Sequence, residues 1–292
     1  MPRGQVVVRR ARHGRVSAGG RGRITLHHRD NLEVLPQLDD GVVALVYADP
    51  PFNTGHVQRR PQLRTRADPK GDRTGFGGRR FRTETLGATA FDDRFDDYLG
   101  FLRPRLEQLH RVLRADGSLM LHLDPREVHY VKVELDRIFG RASFMGEIIW
   151  AYDYGARSRR RWPAKHDNIL WYARDPRQYC YDYDAIDRIP YLAPGLVGPE
   201  KAARGKTPTD VWWQTIVSPT GKEKTGYPTQ KPLAILRRIV RVHSRVGDLL
   251  LDPFAGSGTL GEAAAESGRD AILIDASADA IAVMRKRLAQ WL

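Results

Sequence analysis

Short apolar runs alternate with amphipathic segments along most of the chain. The first pair predicts a strand over Ile24–His28 and a helix over residues 31–38, with Asp30 as the helix N-cap. Residues 42–47 are apolar throughout, which is typical of a central parallel strand that is covered on both faces. Strands and helices that follow one another in this way favour an α/β fold.

The same alternation extends to the C-terminus. Apolar residues from Phe95 to Leu113 follow helical spacing, and we expect Pro104 to kink or restart that helix. Further strands are predicted over residues 118–123, 144–150, 249–251 and 271–274, and further helices over residues 126–139, 232–243, 259–267 and 278–292. The pattern therefore predicts a doubly wound, mostly parallel sheet.

Two parts of the chain break this rhythm. Residues 55–90 are basic and rich in Gly and polar residues, and we expect a mobile loop there without regular structure. Residues 151–227 hold an arginine run, an aromatic stretch and a segment with Pro and Gly. This second part has the composition of an inserted recognition region.

The positive charge of the chain is concentrated in two segments. The formal net charge of the 292 residues is +13. Residues 1–23 contain seven Arg and no acidic residue, and residues 55–82 contain nine Lys or Arg against two Asp. Flexible cationic segments suit a polyanion such as nucleic acid. A passive, arginine-rich tail is the alternative for residues 1–23.

Cysteine content and hydropathy exclude several classes of protein. Cys180 is the only cysteine, so an internal disulfide and a cysteine-based zinc cluster are excluded within one chain. His166 and Asp167 lack a second group of ligands at metal spacing, so no metal is expected. No apolar run reaches membrane-spanning length and no secretory signal is visible, so we expect a cytoplasmic protein without a membrane partner.

The first candidate site directly follows the apolar strand 42–47. Asp49-Pro50-Pro51-Phe52 combines a carboxylate, a rigid turn and an aromatic ring. Such a combination suits a flat ligand that carries an amino group, as a nucleobase does. The alternative is that the two prolines only end the strand, because proline removes a backbone donor and restricts the residue before it.

The second candidate site is a glycine-rich turn near the C-terminus, at residues 252–259. Gly256 to Gly261 match the dinucleotide-binding fingerprint between a predicted strand and a predicted helix. Asp275 ends the next strand, where a carboxylate can accept hydrogen bonds from ribose hydroxyls. NAD and S-adenosylmethionine both fit this geometry, but the position of the turn late in the chain favours the latter. Capping of the last helix at Ser277 is the alternative role for Asp275.

In combination, these motifs resemble those of the β-class DNA amino-methyltransferases that use S-adenosylmethionine, in which the catalytic motif precedes the cofactor motif. The resemblance covers about residues 24–292 and rests on Asp30-Asn31, Asp49-Pro50-Pro51-Phe52, residues 166–170, Thr229-Gln230-Lys231-Pro232 and residues 252–259. It implies a circularly permuted Rossmann-like fold with an inserted target-recognition region. The implied division is a flexible basic arm (1–23), a catalytic half (24–150) with the mobile loop 55–90, a target-recognition region (151–227) and a cofactor-binding half (228–292).

The resemblance also implies how S-adenosylmethionine is held. Asp252 and the turn would hold the methionine part, Asp275 the ribose, and Asp30 the adenine of the cofactor. Thr229, Lys231 and Pro232 would close the methionine side. The full set of implied cofactor residues is Asp30, Asn31, Asp49, Thr229, Lys231, Pro232, Asp252, Pro253, Phe254, Ala255, Gly256, Ser257, Gly258, Thr259 and Asp275.

By the same resemblance, Asp49, Pro50, Pro51 and Phe52 form the catalytic motif. Asp49 and the Pro50 carbonyl would accept the two amino protons of a base flipped out of duplex DNA, and Phe52 would stack on that base. Phe52 replaces the commoner Tyr, and stacking survives this change. Aspartate at the first position favours the N6 group of adenine over the N4 group of cytosine, and methylation of RNA or of a protein amide is a further alternative.

Double-stranded DNA is the expected partner. Arg159, Arg160, Arg161 and Lys165 are candidates for phosphate or base contacts, with a solvated charged face as the alternative. Dimers occur in the family, so both a monomer and a homodimer stay open. Two functions of other classes also remain, namely a nicotinamide-dependent oxidoreductase and a DNA-binding module that has lost catalysis.

Overall fold

The computed structural model describes residues 22–74, 78–153, 157–218 and 221–292. Within these residues, one sheet contains β1 (Ile24–His28), β2 (Val43–Ala48), β6 (Leu113–Leu123), β7 (Phe144–Ala151), β8 (His166–Ala173), β9 (Val211–Trp213), β10 (Leu249–Asp252) and β11 (Asp270–Asp275). A smaller sheet contains β3 (His56–Ala67), β4 (Arg73–Thr74) and β5 (Arg80–Asp93). The helices are α1 (Asn31–Val34), α2 (Tyr98–Val112), α3 (Val128–Phe139), α4 (Pro199–Arg204), α5 (Leu233–His243), α6 (Thr259–Ala265) and α7 (Ala278–Arg287).

The order of strands in the large sheet is β1-β11-β10-β2-β6-β8-β7-β9. The five strands from β1 to β6 in this order are parallel to their neighbours, whereas β8 is antiparallel to both β6 and β7. The first strand of the chain therefore lies beside the last one. This arrangement confirms the circularly permuted, mostly parallel α/β fold that the sequence predicts.

Both faces of the sheet are covered, which explains the uninterrupted apolar run in β2. Successive side chains of a strand point to opposite faces. Leu45 and Tyr47 belong to the cluster that α5, α6 and α7 build on one face, and Val46 and Ala48 belong to the cluster of α2 and α3 on the other. All six residues of β2 are buried, so this strand is the centre of the core.

Several element boundaries differ from the predicted ones. The first helix ends at Val34 and passes into a 3₁₀ turn, Leu35–Gln37, because Pro36 has no backbone N–H. The second helix begins after Asp97, whose carboxylate accepts a hydrogen bond from the Gly100 N–H, and it continues through Pro104. The last helix ends at Arg287 instead of Leu292.

The expectation of an irregular segment at residues 55–90 is wrong. β3 and β5 pair along most of their length as an antiparallel hairpin, and β4 adds a short third strand. Thr83, Thr85 and the aromatic Phe81 and Phe91 favour strands, but the density of Gly and charge outweighed this signal in the sequence.

The region at residues 151–227 also contributes to the scaffold. β8 lies between β6 and β7 in the large sheet, and its Ile169, Leu170 and Tyr172 are buried. β9 extends the sheet at its edge. The arm at residues 1–23 lies outside the described residues, apart from its last two. In the described ranges, no helix is both long and apolar enough to cross a membrane.

Candidate active site

The candidate site lies where the parallel strands end. The carboxyl ends of β1, β11, β10 and β2 meet at one edge of the sheet, the usual position of ligands in open α/β sheets. A cavity of about 420 Å³ opens there. Sixteen of the predicted site residues line it, namely Asp30, Asn31, Asp49, Pro50, Pro51, Phe52, Thr229, Lys231, Asp252, Pro253, Phe254, Ala255, Gly256, Ser257, Thr259 and Asp275. The chain thus brings its two distant motifs into a single cavity.

Two of the predicted site residues, Pro232 and Gly258, do not line the cavity. Pro232 is buried and forms the N-cap of α5, and Gly258 forms the N-cap of α6 with a φ of +73°. A Cβ atom at Gly258 would lie 2.8 Å from the Met284 Cγ. Both residues therefore shape the elements that carry the site without lining the cavity themselves.

Asp275 holds the glycine turn in place. One carboxylate oxygen accepts a hydrogen bond from the Gly256 N–H at 2.8 Å, and the other accepts one from the Ser277 N–H at 2.8 Å. Burial raises the pKa of Asp275, and these two backbone donors oppose that shift. Asp275 therefore organises the start of α7 as well as the turn, and it lines the cavity at the same time.

Asp252 is a buried carboxylate at the end of β10. One of its oxygens accepts a hydrogen bond from the Phe254 N–H at 3.0 Å. Burial, together with repulsion from Asp49 and Asp275, raises the pKa of Asp252 well above its usual range. A cationic group bound in the cavity would offset this cost, so the lining suits a ligand with an ammonium group.

The first motif is tied to the last by Asn31, whose side-chain amide donates to the Pro253 carbonyl at 2.9 Å. The neighbouring Asp30 caps α1 and pairs with the Arg105 guanidinium at 2.9 Å. Arg105 itself lies over the Phe101 ring, at 3.9 Å from the ring centroid. Asp30 is therefore already engaged by a cation that the sequence did not associate with it.

Lys231 contacts the catalytic motif directly. Its ammonium group donates to the Asp49 Oδ2 and lies 5.1 Å from the centroid of the Phe52 ring. The Lys231 and Asp49 side chains are only 10% and 14% exposed. The resemblance assigned Lys231 to the methionine side of the cofactor, whereas in this structure its partner is the Asp49 carboxylate.

A buried polar group behind Asp49 escaped the sequence analysis. His122 is fully buried on β6, with its Nδ1 2.7 Å from the Tyr47 hydroxyl and its Nε2 3.2 Å from the Asp167 carboxylate. The Tyr152 hydroxyl donates to the other oxygen of Asp167 at 3.1 Å. The available signal was a single histidine inside the otherwise apolar end of β6.

The predicted DNA contacts lie outside the cavity but at the same edge. Arg159, Arg160 and Arg161 are exposed in the segment that joins β7 to β8, and Trp162 beside them is 96% exposed. β7 runs parallel to β6, so this segment leaves the sheet at the edge where β2 delivers Asp49. The ammonium group of Lys165 lies 3.9 Å from the Asp153 carboxylate.

Several cavity residues were not predicted. Tyr227 packs close to Gly256, and its ring would lie 3.1 Å from a Cβ atom at that glycine. The other unpredicted lining residues include Arg29, Tyr47, Thr54, Asp93, Phe95, Phe101 and Arg105. In the parts of the chain that the structure describes, no group of three or more His, Cys, Asp or Glu side chains could hold a metal ion.

Comparison with known proteins places this geometry in a family. Residues 43–286 match the family model of N6/N4 DNA methylases, described as DNA methylase. The type II methyltransferase M.HpaI of Haemophilus parainfluenzae is 28% identical over 257 residues, which cover 88% of this chain and 71% of that protein. The DNA adenine methyltransferase YhdJ of Escherichia coli is 28% identical over 277 residues, which cover 90% and 82% of the two chains.

Solved structures share the fold. The M1.HpyAVI–SAM complex matches 91% of this chain and 98% of its own, with a TM-score of 0.58 and 20% identity. The PvuII DNA methyltransferase, described as cytosine-N4-specific, matches 92% and 89%, with a TM-score of 0.63 and 14% identity. The family match spans most of the chain, including both motifs of the cavity. The chain therefore belongs to the N6/N4 DNA methylases, the amino-methyltransferases that use S-adenosylmethionine.

Proposed function

We propose that this protein methylates the N6 amino group of adenine in duplex DNA. The observation that carries the proposal is the single cavity that joins the Asp49-Pro50-Pro51-Phe52 motif to the glycine turn. One part of this cavity offers hydrogen-bond acceptors for an amino group, and the other offers a cleft for the cofactor. This arrangement suits direct transfer of a methyl group from the bound cofactor to the bound base. Aspartate at the first motif position and the similarity to an adenine methyltransferase support adenine over cytosine.

The residues of the cavity fit S-adenosylmethionine. The buried Asp252 suits the ammonium group of a methionine moiety, and Asp275 beside the turn suits ribose hydroxyls. Gly256 and Gly258 have positive φ and leave the turn without side chains, so its backbone can approach a ligand closely. When it is bound, the cofactor supplies a methyl group on a positively charged sulfur.

The protein side chains prepare the amino group for attack. The amino nitrogen of adenine is a poor nucleophile because its lone pair is delocalised into the ring. Asp49 and the Pro50 carbonyl accept hydrogen bonds from its two N–H groups, which favours the pyramidal form of the nitrogen. Phe52 stacks on the adenine ring. Positive charge that develops on the nitrogen is stabilised by the Asp49 carboxylate, provided that Lys231 leaves the Oδ2 atom.

Duplex DNA approaches the edge of the sheet where the cavity opens. The base must leave the stack, which costs a few kcal/mol, and phosphate contacts help to offset this cost. Arg159, Arg160 and Arg161 are exposed at this edge and are our candidates for these contacts. The names of the type II relatives support a role in a restriction-modification system, and a homodimer remains a prediction.

The test is the identity of the methylated base. Purified protein is incubated with labelled S-adenosylmethionine and, separately, with duplex DNA, tRNA and ribosomal RNA, and the products are digested to nucleosides. We expect the label in N6-methyladenine from duplex DNA. Label in N4-methylcytosine would replace adenine by cytosine as the target, and label found only in RNA would overturn the proposal.

A further inference from the structure

A histidine lies buried between two carboxylates at the floor of the site. His122 has no exposed surface, and its Nδ1 lies 3.8 Å from the Asp49 Oδ1. Its other nitrogen, Nε2, lies 3.2 Å from the Asp167 carboxylate. The rings of Phe52 and Trp150 flank the imidazole, with centroids 5.7 and 5.5 Å away. His122 therefore joins the catalytic carboxylate to a second carboxylate that the proposed mechanism does not use.

The partners of His122 assign its hydrogen atoms. Burial raises the pKa of Tyr47 well above its usual range, so its hydroxyl keeps its proton and donates it to Nδ1. Burial alone would raise the pKa of Asp167, but the hydrogen bonds from His122 and Tyr152 and the charge of Lys231 hold it below its usual range. Asp167 is thus an acceptor only, and the Nε2 of His122 carries the hydrogen that bonds to it.

One oxygen of Asp49 is not satisfied within the described part of the chain. Its Oδ1 is buried and has no hydrogen-bond partner among the described residues, whereas its Oδ2 is bound by Lys231. A buried acceptor without a donor costs about 1–3 kcal/mol. The Nδ1 of His122 lies 3.8 Å from this oxygen, and catalytic hydrogen bonds are often long before the substrate binds. A proton on Nδ1 would satisfy the orphaned oxygen.

The reaction produces a proton that needs an acceptor. Transfer of a methyl group to an amino nitrogen leaves that nitrogen with one proton too many and a positive charge. We propose that this proton passes to the Asp49 carboxylate and then to the Nδ1 of His122, and that Asp167 stabilises the resulting imidazolium. The N–H bond to the methylated nitrogen breaks and an N–H bond at Nδ1 forms. This new N–H faces the Asp49 Oδ1, and the Tyr47 hydroxyl turns its own hydrogen away from Nδ1.

This inference rests on the proposed function and assigns His122 as a residue that acts through Asp49. An oriented Asp–His pair that takes up a proton is a known arrangement in enzymes that transfer acyl groups. The charged and titratable groups that face His122 are Asp49 and Tyr47 from the β2 side, Asp167 from β8, Tyr152 after β7, and Lys231 beyond Asp49.

The experiment measures single-turnover methyl transfer against pH for the wild type and for His122→Gln, Asp167→Asn and His129→Gln. His129 is exposed on α3 and serves as the matched control. A protonated imidazole cannot accept a further proton, so the wild-type rate should fall as the pH is lowered. His122→Gln should lose this acid limb and run about 100-fold slower at neutral pH.

The second variant keeps the proposal testable if His122→Gln folds poorly. Asp167→Asn retains the imidazole but removes the charge that stabilises its cationic form, so its acid limb should move to lower pH. His129→Gln should keep the wild-type profile. If His122→Gln and Asp167→Asn bind S-adenosylmethionine normally and keep the wild-type pH dependence, the role of His122 is overturned, whatever their absolute rates of methyl transfer. The wild-type measurement alone tests the proposed function, because a wild-type protein without methyl transfer to DNA would contradict that function. Failure of the His122 role appears only in the variants, so the two outcomes can be told apart.

Discussion

Asp49 is the residue on which the proposed chemistry depends, and its contacts decide what it can bind. Lys231 binds one oxygen of its carboxylate, and His122 lies behind the other. A buried carboxylate without a paired cation destabilises the folded protein, so the Lys231 ammonium group stabilises the site when no ligand is bound. Under the proposed mechanism, the base would use both oxygens of Asp49 only after Lys231 had moved, and the carboxylate of a bound cofactor would compete for that lysine.

Removal of the Lys231 charge should therefore destabilise the free protein. Lys231→Met leaves both oxygens of Asp49 without a donor, and we expect a loss of about 3 kcal/mol in the free energy of unfolding. Chemical denaturation measures this loss. Lys222→Met, at an exposed position, is the control and should change stability by no more than about 0.5 kcal/mol. Equal effects of the two variants would show that the Asp49 contact adds no stability.

Asp252 should make the stability of the free protein depend on pH. Burial raises its folded-state pKa, so its stabilising contribution is present at low pH and is lost as pH rises through that pKa. Asp252→Asn keeps an acceptor for the Phe254 N–H but cannot ionise. Wild type and variant should have similar stability near pH 4, and the variant should be the more stable of the two at about pH 8.

Denaturation at several pH values measures this difference, with and without S-adenosylmethionine. The cofactor should stabilise the wild type more than Asp252→Asn at the higher pH, because in the proposed binding mode its ammonium group would pair with the ionised carboxylate. A stability difference that stays constant from acid to neutral pH would contradict the raised pKa.

The sequence predicted those site residues that belong to local motifs. Asp49 and Gly256 follow a strand within a short pattern and Asp275 ends one, so their position at the carboxyl edge could be inferred from the chain alone. His122 and Arg105 could not be assigned in this way. They lie on β6 and α2, and only the packing of those elements against β2 and α1 brings them to Asp49 and Asp30.

The turn between β10 and α6 shapes the side of the cavity that we propose for the cofactor. Gly258 ends this turn in a left-handed conformation, and its N–H donates to the Ala255 carbonyl at 2.7 Å. An L-residue with a side chain is strained in this conformation. The turn therefore depends on glycine at this position, and the packing of α7 beneath it leaves little room for a Cβ atom.

We expect Gly258→Ala to lower the free energy of unfolding by about 1–3 kcal/mol. The variant should also bind S-adenosylmethionine more weakly, because the turn must move. Gly146→Ala in β7 is the control. Apart from its chain neighbours, no atom of the described residues lies within 4 Å of a Cβ atom there, and the φ of Gly146 is not in the left-handed region. Calorimetric titration and denaturation measure both effects, and an unchanged affinity for Gly258→Ala would contradict the assignment of the turn.

Among the elements, periodicity identified the strands and helices of the core and failed where charge was dense. β2, β10 and β11 have apolar runs that only burial on both faces explains. β3 and β5 contain six Arg residues between them, and they pair with each other as an antiparallel hairpin. Their local composition therefore resembled that of a loop.

For the molecule as a whole, charge and topology favour the approach of DNA from one side. The carboxyl edge of the sheet holds the cavity and, in the segment between β7 and β8, the exposed Arg159, Arg160 and Arg161. The ends of the chain meet in the same sheet, because β1 pairs with β11. The basic residues 1–21 precede this edge strand and lie outside the described part of the chain.

The N-terminal arm should contribute to DNA affinity without sequence preference. Residues 1–20 contain five Arg, and each phosphate contact adds about 0.9 to the slope of log affinity against log salt concentration. Deletion of residues 1–20 should therefore flatten this slope for non-specific duplex DNA, as measured by fluorescence anisotropy at several salt concentrations. An unchanged slope would identify the arm as a passive tail.

The most direct test of the central claim is methyl transfer by Asp49→Ala. Transfer of labelled methyl groups to duplex DNA is measured beside the wild type at saturating S-adenosylmethionine, and cofactor affinity is measured for both proteins. The proposed mechanism predicts that the variant binds the cofactor but loses transfer by at least about 100-fold, because the charge on the amino nitrogen is no longer stabilised. Transfer by Asp49→Ala at the wild-type rate would contradict the assignment of this cavity as the site of the reaction.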